Sequence, residues 1–160
     1  MKIIYSIVLS AAGLALLVLL AGQLGLLSGT APVDLGVREG RLKPPSDKPN
    51  SVSSQAGLYP GHPRQASASI APLGYTGDGR AALRRLASLL DATAACVTVT
   101  REAGYLYAQC RTPLLKFTDD VEFYLDEQAA VIHVRSASRL GYGDLGANRK
   151  RIEALRARFA

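Results

Sequence analysis

Two short stretches, Asp119–Asp126 (DDVEFYLD) and Val131–Ser136 (VIHVRS), limit the folds open to this chain more than any others. Both alternate apolar and polar residues, and the four residues Glu127–Ala130 between them suit a hairpin loop. Setting Asp126 opposite Val131 pairs Leu125 with Ile132 and Phe123 with Val134 on one face. The other face then pairs Tyr124 with His133 and Glu122 with Arg135. A slip of one residue would turn every aliphatic side chain to the wrong side, so the register is strongly specified. Glu122 and Arg135 are expected to form a structural ion pair across the strands.

A second hairpin precedes it. Cys96–Arg101 (CVTVTR) and Tyr105–Thr112 (YLYAQCRT) are β-branched and aromatic, with Glu102-Ala103-Gly104 as a three-residue loop and Gly104 in the left-handed position. Placing Arg101 opposite Tyr105 sets Val99 against Tyr107 and Cys96 against Cys110. The two thiols then share one face at bridging distance. A disulfide fits an exported domain, and two buried free thiols fit the same register. With only His62 and His133 elsewhere, these spacings make no metal site.

Helical spacing marks two further elements. Gly79–Asp91 carries Leu83, Leu86, Leu89 and Leu90 on one stripe, with Asp78 as N-cap. A last helix runs from about Ala147 to Phe159, with Ile152, Leu155 and Phe159 on its apolar side and Asp144 or Asn148 as cap. Ser67–Tyr75 is a strand candidate. The order strand, helix, four strands, helix predicts an α+β fold. An antiparallel sheet of four to five strands carries two helices on one face, in a helix-grip or TATA-binding-protein-like topology.

Upstream lies a different kind of sequence. Ile3 to Leu27 is almost unbroken apolar residues without a charge, longer than the ~7–15 residues of a cleavable signal core. It matches the roughly 20 residues needed to cross a bilayer, so residues 1–27 read as a transmembrane signal anchor. Gln23 stands where a lipoprotein processing box needs cysteine. Residues 28–66 hold six of the eight prolines and no apolar periodicity, and read as a spacer. Within it, residues 36–55 read either as flexible stalk or as an ordered strap. Residues 67–160 form the α+β domain. Only Lys2 precedes the apolar run while Arg38, Arg41, Lys43 and Lys48 follow, which places the domain in the cytoplasm by the positive-inside rule. A bridged cysteine pair places it outside, and the extracytoplasmic side is the expectation taken forward.

The net charge of +6 comes without an RNA-recognition motif or a cysteine–histidine finger, so nucleic acid is not expected as a partner. No phosphate-binding glycine loop or nucleophile elbow occurs, and no cofactor is expected. The polar residues concentrate at one strand-to-helix turn. Ser136, Ser138, Arg139, Asp144, Asn148 and Arg149 offer fork donors and hydroxyls near a helix N-terminus, the requirements of a phosphate or carboxylate site. The competing reading is a structural network in which Asp119, Asp120, Glu122, Asp144 and Glu153 neutralise the arginines.

The stretches GRL (Gly40–Leu42), PNSVSSQ (Pro49–Gln55), FTDDVEF (Phe117–Phe123) and RSASRLGYGDLGANRKRIE (Arg135–Glu153) resemble a bacterial and plastid family known as domain of unknown function 1499. The resemblance covers Gly36 to Phe159. It implies an exported or membrane-tethered domain and brings no established reaction. Many relatives carry cysteines near the positions of Pro45 and Ser51, and both are absent here.

These readings predict a membrane-tethered envelope domain that binds a partner protein or an anionic small ligand through the Ser136–Arg149 turn, more a binding or structural module than an enzyme. Two alternatives stand beside it. One is a hydrolase using strap serines such as Ser53 or Ser54 with Asp119 or Glu122. The other is a lipid-binding domain with a helix-grip cavity.

Overall fold

A computed structural model describes residues 1–159. After α1 (Lys2–Gln23) the chain runs through β1 (Ser51–Ser53), a 3-10 turn (Ala56–Leu58), α2 (Gln65–Ala68), β2 (Leu73–Gly74) and α3 (Gly79–Asp91). It continues through β3 (Cys96–Arg101), β4 (Tyr105–Arg111), β5 (Thr118–Asp126), β6 (Val131–Ser138) and α4 (Ala147–Phe159). The strands form one antiparallel sheet in the order β1-β6-β5-β4-β3, with β2 also pairing to β6.

The hairpin β5–β6 has the expected register throughout, from Asp126 opposite Val131 to Glu122 opposite Arg135. Its alternation decides which face is core. Val121, Phe123, Ile132 and Val134 point to the same side as Leu106 and Ala108 of β4 and are fully buried. α3 covers them with Leu83, Leu86 and Leu90, and α4 with Ile152, Leu155 and Phe159. Each large side chain buried this way contributes about 1.5–3 kcal/mol, so this layer dominates stability. Asp78 caps α3 by accepting from the Arg80 and Ala81 N–H groups. Asp144 does the same for α4, accepting from Gly146 and Asn148 N–H.

The opposite face is polar and is covered by the segment read from sequence as spacer. Gln55 fastens it: the side-chain carbonyl accepts from Leu42 N–H and the amide donates to Gly40 O, both at 2.8 Å. Leu42 thereby packs on Tyr105 and Tyr107, with Leu35 and Tyr124 beside them. The same segment provides β1, which pairs Ser51, Val52 and Ser53 with Ala137, Ser136 and Arg135. The sheet therefore has six strands, more than the four to five expected from the 67–160 region alone.

Three local expectations are corrected. Ser67–Tyr75 is not one strand: its start is α2, and only Leu73–Gly74 pairs with β6. Pro72 has no N–H to donate to a ladder. The Ser67, Ser69, Ala71 and Pro72 carbonyls instead accept from the Arg149 and Arg156 guanidiniums of α4. In β3–β4, Cys96 lies opposite Cys110 as expected, but the pairing shifts between Thr98 and Thr100, so Thr100 rather than Val99 faces Tyr107. Such a bulge inserts one residue and re-aims the strand end, here bringing Arg101 and Thr98 onto Asp91 at 2.8–2.9 Å. The inserted residue pairs Arg101 with Leu106, and Glu102 N–H closes the loop on Tyr105 O. Gly104 is then not among the residues with positive φ.

α1 is one apolar helix long enough to cross a membrane, and none of its most apolar stretch is buried by the rest of the chain. Its 22 residues extend about 33 Å. Its C-terminal end rests on the loop between β4 and β5. A side chain at Gly22 would stand 2.5 Å from Leu115 O, so only glycine allows the approach. Gln23 Nε2 donates to Leu114 O at 3.0 Å.

Candidate functional site

The residues expected to form one site are divided by the sheet. Alternation along β6 sends Ser136 and Ser138 to the helix side and Arg135 and Arg139 to the strap side.

On the strap side, the buried charges of the sheet are paired. Arg135 donates from Nη1 to Glu122 Oε2 at 3.2 Å and from Nε to Pro44 O at 3.1 Å. Glu122 is fully buried, and its Oε1 accepts from Tyr105 O–H and Gly36 N–H, both at 2.9 Å. Burial and the Glu122 charge hold the Tyr105 hydroxyl protonated well beyond its ordinary range. One residue along, Arg139 grips Asp120 through Nε and Nη2 at 2.9 and 2.7 Å, and Tyr107 O–H donates to Asp120 Oδ1 at 2.6 Å. The Asp120 hydrogen bond raises the Arg139 pKa, fixing the guanidinium in its charged form. A cavity of about 530 Å³ beneath the strap is lined by Lys43, Pro44, Asp120, Arg135 and Arg139 among others. An anion entering there would have to displace carboxylates already in place.

On the helix side, Asn148 is the hub. Its Oδ1 accepts from Ser136 O–H at 2.5 Å and from Arg151 Nη1 at 2.9 Å. Its Nδ2 reaches Asn50 O, Ser138 Oγ and Asp144 Oδ2 at 2.9–3.0 Å. Burial opposes the Asp144 charge, but hydrogen bonds from Asn148 and Gly146 outweigh it and hold the carboxyl below the ordinary range. Arg151 Nη2 meets Asp119 Oδ2 at 2.5 Å. The other oxygen, Asp119 Oδ1, is buried and accepts from no described residue. Arg149 lies apart from both clusters, holding the Ser67 and Ser69 carbonyls. Of the six expected site residues, the structure thus gathers Ser136, Ser138, Asp144 and Asn148, and sends Arg139 and Arg149 elsewhere.

Beside this hub is a cavity of about 470 Å³ whose wall is mostly apolar: Pro113, Leu114, Leu115 and Phe117 from one loop, Leu140 and Leu145 from the other. Asp119 and Ser138, a cross-strand pair, also line it. Asp119 is 0% exposed while Leu114 and Leu145 are 65% and 97% exposed, so Asp119 lies deep and these leucines lie toward solvent. Leu114 and Leu115 are also the residues that α1 touches. The cavity therefore stands beside the C-terminal end of the apolar helix. Nothing in the sequence marked it, because its two walls come from loops with no periodicity.

A third cluster was also hidden in sequence. Ser54 Oγ lies 3.1 Å from His133 Nδ1, and His133 Nε2 lies 3.6 Å from Asp126 Oδ2. Burial lowers the His133 pKa despite the Asp126 charge, so the ring is neutral near pH 7. The trio has the residue types of a nucleophilic triad, but Ser54 Oγ already accepts from Val134 N–H at 2.9 Å. It completes the ladder where β1 leaves β6, and Tyr124 stacks on the imidazole. Ser53, the other strap serine, is fully buried and accepts from Gln55 N–H. Asp119 and Glu122, the acids of the hydrolase alternative, are committed to Arg151 and Arg135. Among the described residues no group of three or more His, Cys, Asp or Glu is placed to hold a metal ion. Cys96 and Cys110 are joined as a disulfide.

Comparison with curated proteins and with solved structures found no match. A family model described as "Protein of unknown function (DUF1499)" matches residues 41–159. That match begins within the strap at Arg41 and takes in β1, the whole sheet and α4, so by sequence and by extent the chain belongs to the DUF1499 family.

Proposed function

We propose that this protein is a membrane-anchored binding domain that takes up a membrane lipid in the apolar cavity at the end of α1. The observation that carries the reading is the continuity of the two features: the loop that packs on Gly22 and Gln23 is the loop that walls the cavity. With α1 across a bilayer of about 30 Å hydrocarbon thickness, its C-terminal end lies at the membrane interface. The exposed Leu114, whose carbonyl accepts from Gln23, then stands at the same level. A cavity of this size lies within the ~300–1,000 Å³ of ordinary ligand sites. An anionic ligand at Arg135 or Arg139 finds less support, since both guanidiniums are already matched to buried carboxylates.

The test is photo-crosslinking of the full-length protein in nanodiscs containing a diazirine-tailed phospholipid. Label is expected on peptides covering residues 112–117 and 140–145, and Leu115→Arg should remove most of it. Labelling confined to residues 2–23 would show contact with the bilayer without uptake.

In this reading the domain lies on the extracytoplasmic side, supported by the Cys96–Cys110 bridge, because such bridges persist in oxidising compartments. After reduction of intact cells, a membrane-impermeant maleimide should then label Cys96 and Cys110 once the domain is unfolded. Labelling only after lysis would place the domain inside.

A further inference from the structure

Three basic residues from separate parts of the chain line one small cavity. Lys48 of the strap, Arg64 at the start of α2 and Arg149 in the first turn of α4 border a space of about 220 Å³, together with Ser67 and Asp144. Arg149 Nη2 donates to Ser67 O and Ser69 O at 3.1 and 2.8 Å, which fixes its guanidinium against the Ser67 wall. Arg64 Nε donates to Asp47 O at 3.2 Å, and its Nη2 lies 3.4 Å from Tyr142 Oη. That places the Arg64 guanidinium beside Lys48 and the turn before α4. Lys48 itself is exposed. The partners of both guanidiniums are neutral. Among the described residues no carboxylate pairs with any of the three, whereas Arg135, Arg139 and Arg151 each hold one.

Asp144 is the one acid on this wall, and its oxygens accept from Gly146 N–H, Asn148 N–H and Asn148 Nδ2. That cap occupies the N–H groups at the start of α4, so the attraction for an anion comes from the basic residues and not from the helix end. Three positive charges against one negative leave the cavity with a positive excess. Like charges gathered in one place repel unless an anion joins them. A carboxylate has two oxygens in one plane and a single charge, enough for one guanidinium. A phosphoryl group has three terminal oxygens and a charge near −2, and suits two guanidiniums and an ammonium. The cavity is smaller than the ~300–1,000 Å³ of sites that enclose a whole ligand, so it takes the phosphoryl end of a molecule and leaves the rest outside. We infer that Lys48, Arg64 and Arg149 bind a terminal phosphoryl group, the phosphate monoester of a soluble molecule or of a membrane lipid. Asp144 also lines the apolar cavity, so the two sites are neighbours, but none of the three basic residues does. The inference therefore stands without the lipid reading.

The experiment is isothermal titration calorimetry of inorganic phosphate, at constant ionic strength, into the full-length protein in phosphatidylcholine nanodiscs, with empty nanodiscs as blank. One saturable site is expected, and acetate should bind at least about tenfold more weakly. Lys48→Met removes an exposed side chain and should weaken phosphate about tenfold, the low end for a hydrogen bond to a charged group. Lys150→Met removes an equal charge from an exposed position of α4 outside the cavity, and should leave binding unchanged. Arg149→Met should weaken binding further. The titration is then repeated with phosphatidic acid, or with phosphatidylglycerol, added to the nanodiscs. Both are anionic, and only the first ends in a phosphoryl group. Loss of the phosphate heat with phosphatidic acid alone would place a lipid headgroup in the site. Unchanged heat with both would make the ligand a soluble monoester.

Absence of a saturable heat would overturn the inference. So would acetate binding as tightly as phosphate, equal weakening by Lys48→Met and Lys150→Met, or equal loss of heat with the two anionic lipids, since each would reduce the effect to general charge. If Arg149→Met does not fold, Lys48→Met against Lys150→Met still decides. The photo-crosslinking of residues 112–117 and 140–145 tests the lipid reading separately.

Discussion

The two faces of the β5–β6 hairpin carry nearly the same chemistry and differ in how completely it is matched. On the strap face, Glu122 and Asp120 meet Arg135, Arg139, Tyr105, Tyr107 and a backbone N–H, and both carboxylates are covered. On the helix face, Asp119 meets Arg151 alone, and its other oxygen is buried with no donor among the described residues. A saturated buried network fixes a fold, because each member already has its partner. The arginines and acids concentrated in that part of the sequence are therefore divided between two networks of different completeness.

That contrast predicts unequal mutational costs. Glu122→Ala should destabilise the full-length protein by about 3–5 kcal/mol in chemical denaturation, since it strands the buried Arg135 cation and the Tyr105 hydroxyl. Asp119→Ala should cost less, about 1–2 kcal/mol, because it also removes the unmatched oxygen and frees an Arg151 side chain that is 15% exposed and can reach solvent. Equal costs would dissolve the distinction between the faces.

A smaller effect sharpens the picture of the strap face. His133 is held neutral there by burial, so in the fold it binds fewer protons than in the unfolded chain. Its contribution is complete above about pH 6.5 and is lost as pH falls through its lower folded-state pKa. Denaturation midpoints should therefore fall between pH 7.5 and pH 5.5, and His133→Gln should flatten that slope. An unchanged slope in the variant would assign the titration to another group.

Much of the scaffold was legible from the chain alone. Strict alternation over Val121–Leu125 and Ile132–Val134 permits one register, and a leucine stripe with Asp78 ahead of it permits one helix. The strap was legible only as one of two alternatives and β1 not at all, because single side chains attach them: Gln55 onto the Gly40–Leu42 backbone, and Asn50 onto Ser138 O and Gly141 O. Such attachments leave no period to read. Arg149 and Arg156 were equally opaque, since nothing local shows that a guanidinium will replace a neighbouring strand as donor. The Val99 bulge changed the hairpin end without changing its composition. The candidate turn was found in part: Ser136, Ser138, Asp144 and Asn148 do converge, but the alternation of β6 itself excludes Arg139 from their side.

The central claim is that the cavity beside α1 holds lipid. The chain has no tryptophan, so one introduced at Leu140 on the cavity wall is an unambiguous reporter. In nanodiscs made with brominated-chain phospholipid, Leu140→Trp fluorescence should be strongly quenched, while Val97→Trp on the exposed edge strand β3 should be unaffected. Leu140→Trp emission that is no more quenched than the Val97→Trp control would contradict the account.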